Sequence, residues 1–260
     1  MSYVIDHRLI GALHVQAVRK QGLHPEHEPH VLFQSSTIDH LLDGGFDGDL
    51  TFEELAQHGD LGLGTLNALD GEMIAIDGRF LRADVNGAIS EVDPQAKTPF
   101  GVVTFFEPSI RFALEEPLDH DGFLAALDAA LPERAETAAV RVTGEFDRVH
   151  ARSVPRQEPP YPPLAEAAKQ QHVFEFIGEH GTLVGFRFPD YAQGIEVPGY
   201  HLHFVDHAHE RGGHVLGVAP RRVRVELDPS SDLHMELPPQ VGLGAPPAAN
   251  RGVLGAIEGE

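Results

Sequence analysis

Short runs in which apolar and polar residues alternate dominate this chain, and few stretches repeat every three or four positions. A side-chain period of two marks a strand with one buried face; a period near 3.6 marks an amphipathic helix. The ordered body opens with the apolar run Val31-Leu32-Phe33, and residues 37–42 follow as a short helix halted by Gly44-Gly45. Thr51, with Glu54 three positions on, has the form of a capping box opening a helix over residues 52–58. The glycines of residues 59–67 read as a strand in close backbone packing, because the lysine of a phosphate-binding loop is absent there. Residues 72–76 and 79–83 form a hairpin across Asp77-Gly78. Further strands are predicted over 101–106, 140–146, 173–176, 181–186, 222–227 and 233–237, the last two alternating as antiparallel strands with one wet face do. Helical spacing of Phe123, Leu124, Leu127 and Leu131 predicts a helix over 121–131, and another is read over 164–171.

Strands outnumber helices and follow one another in runs, so the predicted class is α+β, a mixed α/β chain whose mixed and antiparallel sheets have flanking helices. Pro155, Pro159, Pro160, Pro162 and Pro163 forbid helix and central strand alike and set the predicted boundary. The reading is an N-terminal sheet domain over 31–154 and a C-terminal metal-binding sheet domain over 155–260 with an active-site tail. Residues 1–30, polar and with five His, are read as an extended or partly ordered arm.

One strand carries chemistry. In Gly199-Tyr200-His201-Leu202-His203-Phe204-Val205, His201 and His203 share a face while Leu202 and Phe204 point into the other layer. Gly212-Gly213 supplies a loose return into His214-Val215-Leu216, a β-hairpin that brings a third imidazole beside the first two. Three protein nitrogens with positions left open suit a catalytic divalent ion, a metal site placed near the domain interface. His207 and His209 fall in the polar tip between these strands and are read as solvated.

Composition narrows the choices. The chain of 260 residues holds no Cys, so any metal ligand is His, carboxylate or water, and disulfides are excluded. A net charge of −21 with three Lys argues against nucleic acid, which needs a cationic footprint, and against anionic membrane surfaces. No apolar run approaches the roughly 20 residues of a membrane span, and the first residues do not form a secretory signal, so the expected location is cytoplasmic. An anionic substrate is repelled at long range and has to be recruited by a buried Arg and a metal.

Gly62-Leu63-Gly64-Thr65, Asp70-Gly71-Glu72-Met73, Lys97-Thr98-Pro99-Phe100, Ala151-Arg152-Ser153-Val154-Pro155, and the His-Leu-His and Gly-Gly-His runs form a set of blocks. Together they resemble alpha-acetolactate decarboxylase. The resemblance extends from about Val31 to the C-terminus. It implies a zinc-dependent lyase that converts 2-acetolactate into acetoin and carbon dioxide, built of β-sheets in two domains with flanking helices. It further implies that His201, His203 and His214 bind Zn2+, that Glu72, Arg152 and a C-terminal glutamate line the site, and that Thr65 lies nearby as a substrate contact. Glu258, after an aliphatic residue, fits that tail glutamate, with Glu260 as the alternative.

The chemistry is consistent with that set. Loss of carbon dioxide from a 2-hydroxy-3-oxo acid leaves electrons that must pass onto the ketone as an enediolate, and a Lewis-acidic ion held by neutral ligands keeps its full charge for the task. Arg152 grips the carboxylate or sits beside the carbon to be protonated, and Glu72 or Glu258 shuttles the proton. A non-catalytic metal-binding or sensing domain and a non-haem iron oxygenase are the alternatives; the latter usually takes two His and a carboxylate. An open sheet edge predicts a homodimer.

Overall fold

The computed structural model describes residues 14–24, 27–132, 137–239 and 241. In chain order its first strands are β1 (His14–Val18), β2 (Val31–Ser35), β3 (Leu50–Thr51), β4 (Leu61–Thr65), β5 (Glu72–Ile76), β6 (Arg79–Ala83) and β7 (Ile89–Glu91). Next come β8 (Lys97–Thr98), β9 (Phe100–Thr104), β10 (Ile110–Leu114), β11 (Thr137–Ser153) and β12 (His172–Phe188). The last are β13 (Gly199–Asp206), β14 (Gly212–Ser230) and β15 (Asp232–Glu236). Four α-helices accompany them: α1 (Ile38–Leu42), α2 (Phe52–Leu55), α3 (His120–Ala130) and α4 (Leu164–Ala168).

Two sheets account for nearly all of the strands. The larger runs β1-β15-β2-β9-β4-β5-β6-β7, and the smaller β10-β14-β11-β12-β13. Because β13 also pairs with β14, the strands β11, β12, β13 and β14 close on one another. Alternation then distributes side chains to two layers. Leu202 and Phe204 of β13 join Val142, Leu183, Val225 and the α3 residues Phe123 and Leu127 in one core. The opposite face packs on the larger sheet, where Leu63 of β4 and Ile74 of β5 meet Val184, Phe186 and Val205. Thr65 and Glu72 share strand faces with Leu63 and Ile74, so both point into this layer between the sheets.

Local signals behave as their chemistry dictates. The Thr51 hydroxyl accepts from the Glu54 amide at 3.2 Å while Glu54 accepts from the Thr51 amide at 2.8 Å, closing a capping box. Asp119 caps α3 by accepting from the Gly122 amide at 2.9 Å. Gly64 allows β4 to lie close against β9, since a Cβ there would meet the Phe100 carbonyl oxygen at 2.4 Å.

Tertiary packing reshaped other expectations. The helix at residue 52 ends at Leu55, as the His58 ring leaves it to stack on Phe33 with centroids 3.9 Å apart. Residues 173–176 and 181–186 belong to one strand, β12, and residues 214–216 and 222–227 to another, β14. Register shifts around Pro220 carry β14 past a residue that has no N–H to give the ladder. Strand β15 is parallel to both its neighbours, not antiparallel, because the chain enters it from the other sheet. Part of the polar N-terminal stretch forms β1, on the edge of the larger sheet. Sheet membership does not change at the Pro-rich crossing: β10 and β11 precede it in the smaller sheet, and β15 returns to the larger.

Candidate metal centre and active site

Two cross-strand rows face each other between the sheets. In the smaller sheet His203 pairs with His214, and His214 pairs with Arg152, so three adjacent strands present these three side chains side by side. In the larger sheet Thr65 is the register partner of Glu72. His201 joins from the same face of β13 as His203.

The three imidazoles are buried, with centroids 5.1–5.3 Å apart. One ligating atom from each lies within 4.8 Å of the others. His203 Nδ1 is 2.8 Å from the Met73 carbonyl oxygen. A carbonyl only accepts, so Nδ1 donates and the neutral ring turns the Nε2 lone pair toward His214, whose Nδ1 is 3.3 Å away. His201 Nδ1 lies 3.2 Å from Oε1 of Glu196, a carboxylate with no exposure to solvent. Glu72 stands between the groups: Oε2 is 3.8 Å from His203 Nε2, and Oε1 is 3.8 Å from Arg152 Nη1. Both side chains are nearly buried. The Thr65 hydroxyl donates to the Gly71 carbonyl at 2.8 Å.

These groups surround a cavity of about 480 Å3, part of it open to solvent. Ile38, Leu41, Leu69, Phe100, Val154 and Leu164 complete its wall, so a few polar groups converge in an otherwise apolar pocket. Leu69 and its neighbour Ala68 hold left-handed backbone (φ 54° and 62°), fixed by the Ala68 amide on the Phe46 carbonyl and the Gln157 amide on the Ala68 carbonyl. Such strain costs about 1–3 kcal/mol per residue and persists where surroundings over-determine it.

A sequence model of a known family, described as Alpha-acetolactate decarboxylase, matches residues 32–242. The chain belongs to the alpha-acetolactate decarboxylase family. An alpha-acetolactate decarboxylase of Methylococcus capsulatus is 50% identical over 235 residues, covering 90% of each chain. One of Methanosarcina mazei is 47% identical over 208 residues, 80% of this chain and 72% of the relative. The crystal structure of alpha-acetolactate decarboxylase from Bacillus subtilis strain 168 superposes with a TM-score of 0.84 at 36% identity, covering 88% of this chain and 99% of that one.

In this member of the alpha-acetolactate decarboxylase family, His201, His203, His214, Glu72, Arg152 and Thr65 all line the one cavity. His207 is exposed, and His209 sits at the surface with Nδ1 3.0 Å from Arg79. Glu258 and Glu260 lie outside the described residues. Sequence reasoning did not single out Glu196 or the apolar wall: a carboxylate five positions before His201 carries no spacing signal, and its burial is visible only once the chain is folded.

The donor set fits a divalent ion. Two nitrogens each about 2.05 Å from one tetrahedral ion stand about 3.3 Å apart, the separation of His214 Nδ1 and His203 Nε2. For His203 and His201 one ring nitrogen is tied to a carbonyl and a carboxylate respectively, as is common in metal-binding histidines.

Proposed function

We propose that this chain decarboxylates 2-acetolactate to acetoin and carbon dioxide with Zn2+ held by His201, His203 and His214. The observation that carries the reading is the meeting, in one largely apolar cavity, of three imidazoles with Glu72 and Arg152. When bound, the ion supplies Lewis acidity to the hydroxyl and ketone oxygens of the substrate, without an organic electron sink.

The protein's own groups perform the rest. Arg152, through its guanidinium fork, draws the substrate carboxylate into a molecule whose net charge of −21 would repel it. As the carbon–carbon bond breaks, its electron pair moves toward the ketone and leaves an enediolate, and the carbon that lost carbon dioxide then takes a proton. In this proposal Glu72 holds and delivers that proton, a role supported by its lying within 4 Å of both Arg152 and His203. Glu258 is the second carboxylate of this proposal. Thr65, tied to the Gly71 carbonyl, shapes the wall beside Glu72 and contacts substrate. The apolar wall receives the two methyl groups and keeps water from the departing carboxylate.

Purified protein is expected to carry about one zinc per chain at this centre, and a chelator to abolish acetoin formation, with zinc restoring it. His203→Ala loses metal and activity, whereas His207→Ala keeps both. Activity in metal-free protein overturns the proposal, and zinc binding without acetoin identifies a binding domain in place of an enzyme.

A further inference from the structure

Among the described residues a second group of ligating side chains lies at the β1 edge of the larger sheet and shares no residue with the cavity. His14 and Asp232 are register partners in the parallel pair β1–β15, and His234, two positions after Asp232, stands on the same face. One ligating atom from each of the three falls within 4.8 Å of the others, and His14 Nδ1 is 3.0 Å from Asp232 Oδ1. The carboxylate is oriented by its own turn: Asp232 Oδ2 accepts from the Ser231 hydroxyl at 2.9 Å, and the Asp232 amide donates to Ser230 Oγ at 3.2 Å. His234 also lines a small cleft with His24 and the buried His58.

We propose that His14, Asp232 and His234 form a second site for a divalent transition metal of the zinc class, whose role is to fasten β1 to the sheet. Two imidazoles and a carboxylate, with positions left for water, are a donor set such ions accept. All three ligands sit on strands, so backbone register sets their separation, which favours a site formed before the ion arrives. The need is local. Among the described strands β1 bonds to β15 alone, and its five residues are exposed or half-buried, so little apolar burial holds it. A cross-strand ligand set joins β1 to β15 at His14, the end opposite Arg19, whose guanidinium donates to the Leu237, Pro238 and Val241 carbonyls just beyond β15.

The test is a zinc titration of the chelator-stripped full chain. Wild-type protein takes up one zinc more than His14→Ala/His234→Ala, which keeps its decarboxylase activity. His203→Ala does the reverse, losing the centre in the cavity and keeping the edge site. In wild-type protein the amides of His14–Val18 exchange with solvent at least tenfold more slowly with zinc saturating both sites than with zinc at the cavity centre alone, a readout needing no variant. Equal zinc uptake by wild type and the double variant, or exchange in β1 that zinc leaves unchanged, overturns the proposal. Because the two centres are read separately, failure at the edge leaves the cavity reading intact.

Discussion

Glu196 shows how one buried side chain tunes another. A carboxylate without solvent exposure lies 3.2 Å from His201 Nδ1, and in the proposed metal centre this contact orients the ring. Glu196→Gln keeps the volume and removes the charge; it should weaken zinc binding roughly ten- to hundredfold, measured against a competing chelator, with the circular dichroism of the fold retained. An unchanged affinity would make the contact incidental. Arg152→Lys keeps the charge and removes the fork that grips a carboxylate, so kcat/KM should fall by about tenfold or more, about 1.4 kcal/mol, chiefly through KM. Among these residues the three imidazoles were legible directly, since strand alternation and a Gly-Gly return bring them to one face. Glu72 and Arg152 were legible only through the family resemblance, because an acidic residue after Asp-Gly and an arginine in a strand carry no spacing of their own. Glu196 was not legible, its partner being set by how the loop before β13 lies against that strand.

At the scale of elements, strand faces were easier to read than strand lengths or directions. Alternation placed Leu202 and Phe204 in one core and the histidines in the other layer, as found. The pattern gave β12 and β14 as fragments, whereas in the fold each is one strand, β12 in unbroken register with β11 and β14 crossing Pro220 through register shifts. The direction of β15 depends on which sheet receives it, and no local pattern states that. Its last residue has a consequence for stability. Glu236 is fully buried, accepts from the Ser35 hydroxyl at 3.1 Å, and burial pushes its carboxyl up from an ordinary 4.5 to about 7. The folded protein therefore holds this proton where the unfolded chain has released it. The associated stability is fully present below about pH 4.5 and is lost as pH rises through about 7, a change on the order of 3 kcal/mol. Glu236→Gln should flatten that slope, seen as urea midpoints that differ less between about pH 5 and about pH 8 than those of wild type. Equal slopes in the two proteins would assign the dependence elsewhere.

Over the whole molecule, charge and topology act at distances no single contact spans. A field from 40 acidic against 19 basic residues opposes an anionic substrate, which the proposed role of Arg152 is to overcome locally. Added salt screens that field, so kcat/KM is expected to rise a few-fold between low and physiological ionic strength, at constant kcat. A fall with salt would mean that local attraction outweighs the global charge. No helix of the described residues is long and apolar enough to cross a membrane. The order β1-β15-β2 has its own consequence for synthesis. Two early strands flank a late one, so during translation both must wait, unpaired on that side, until residue 236 has cleared the ribosome. Until then the nascent chain exposes a sheet edge that invites other chains, and a holding chaperone should raise the yield of native protein more than faster folding of any single strand.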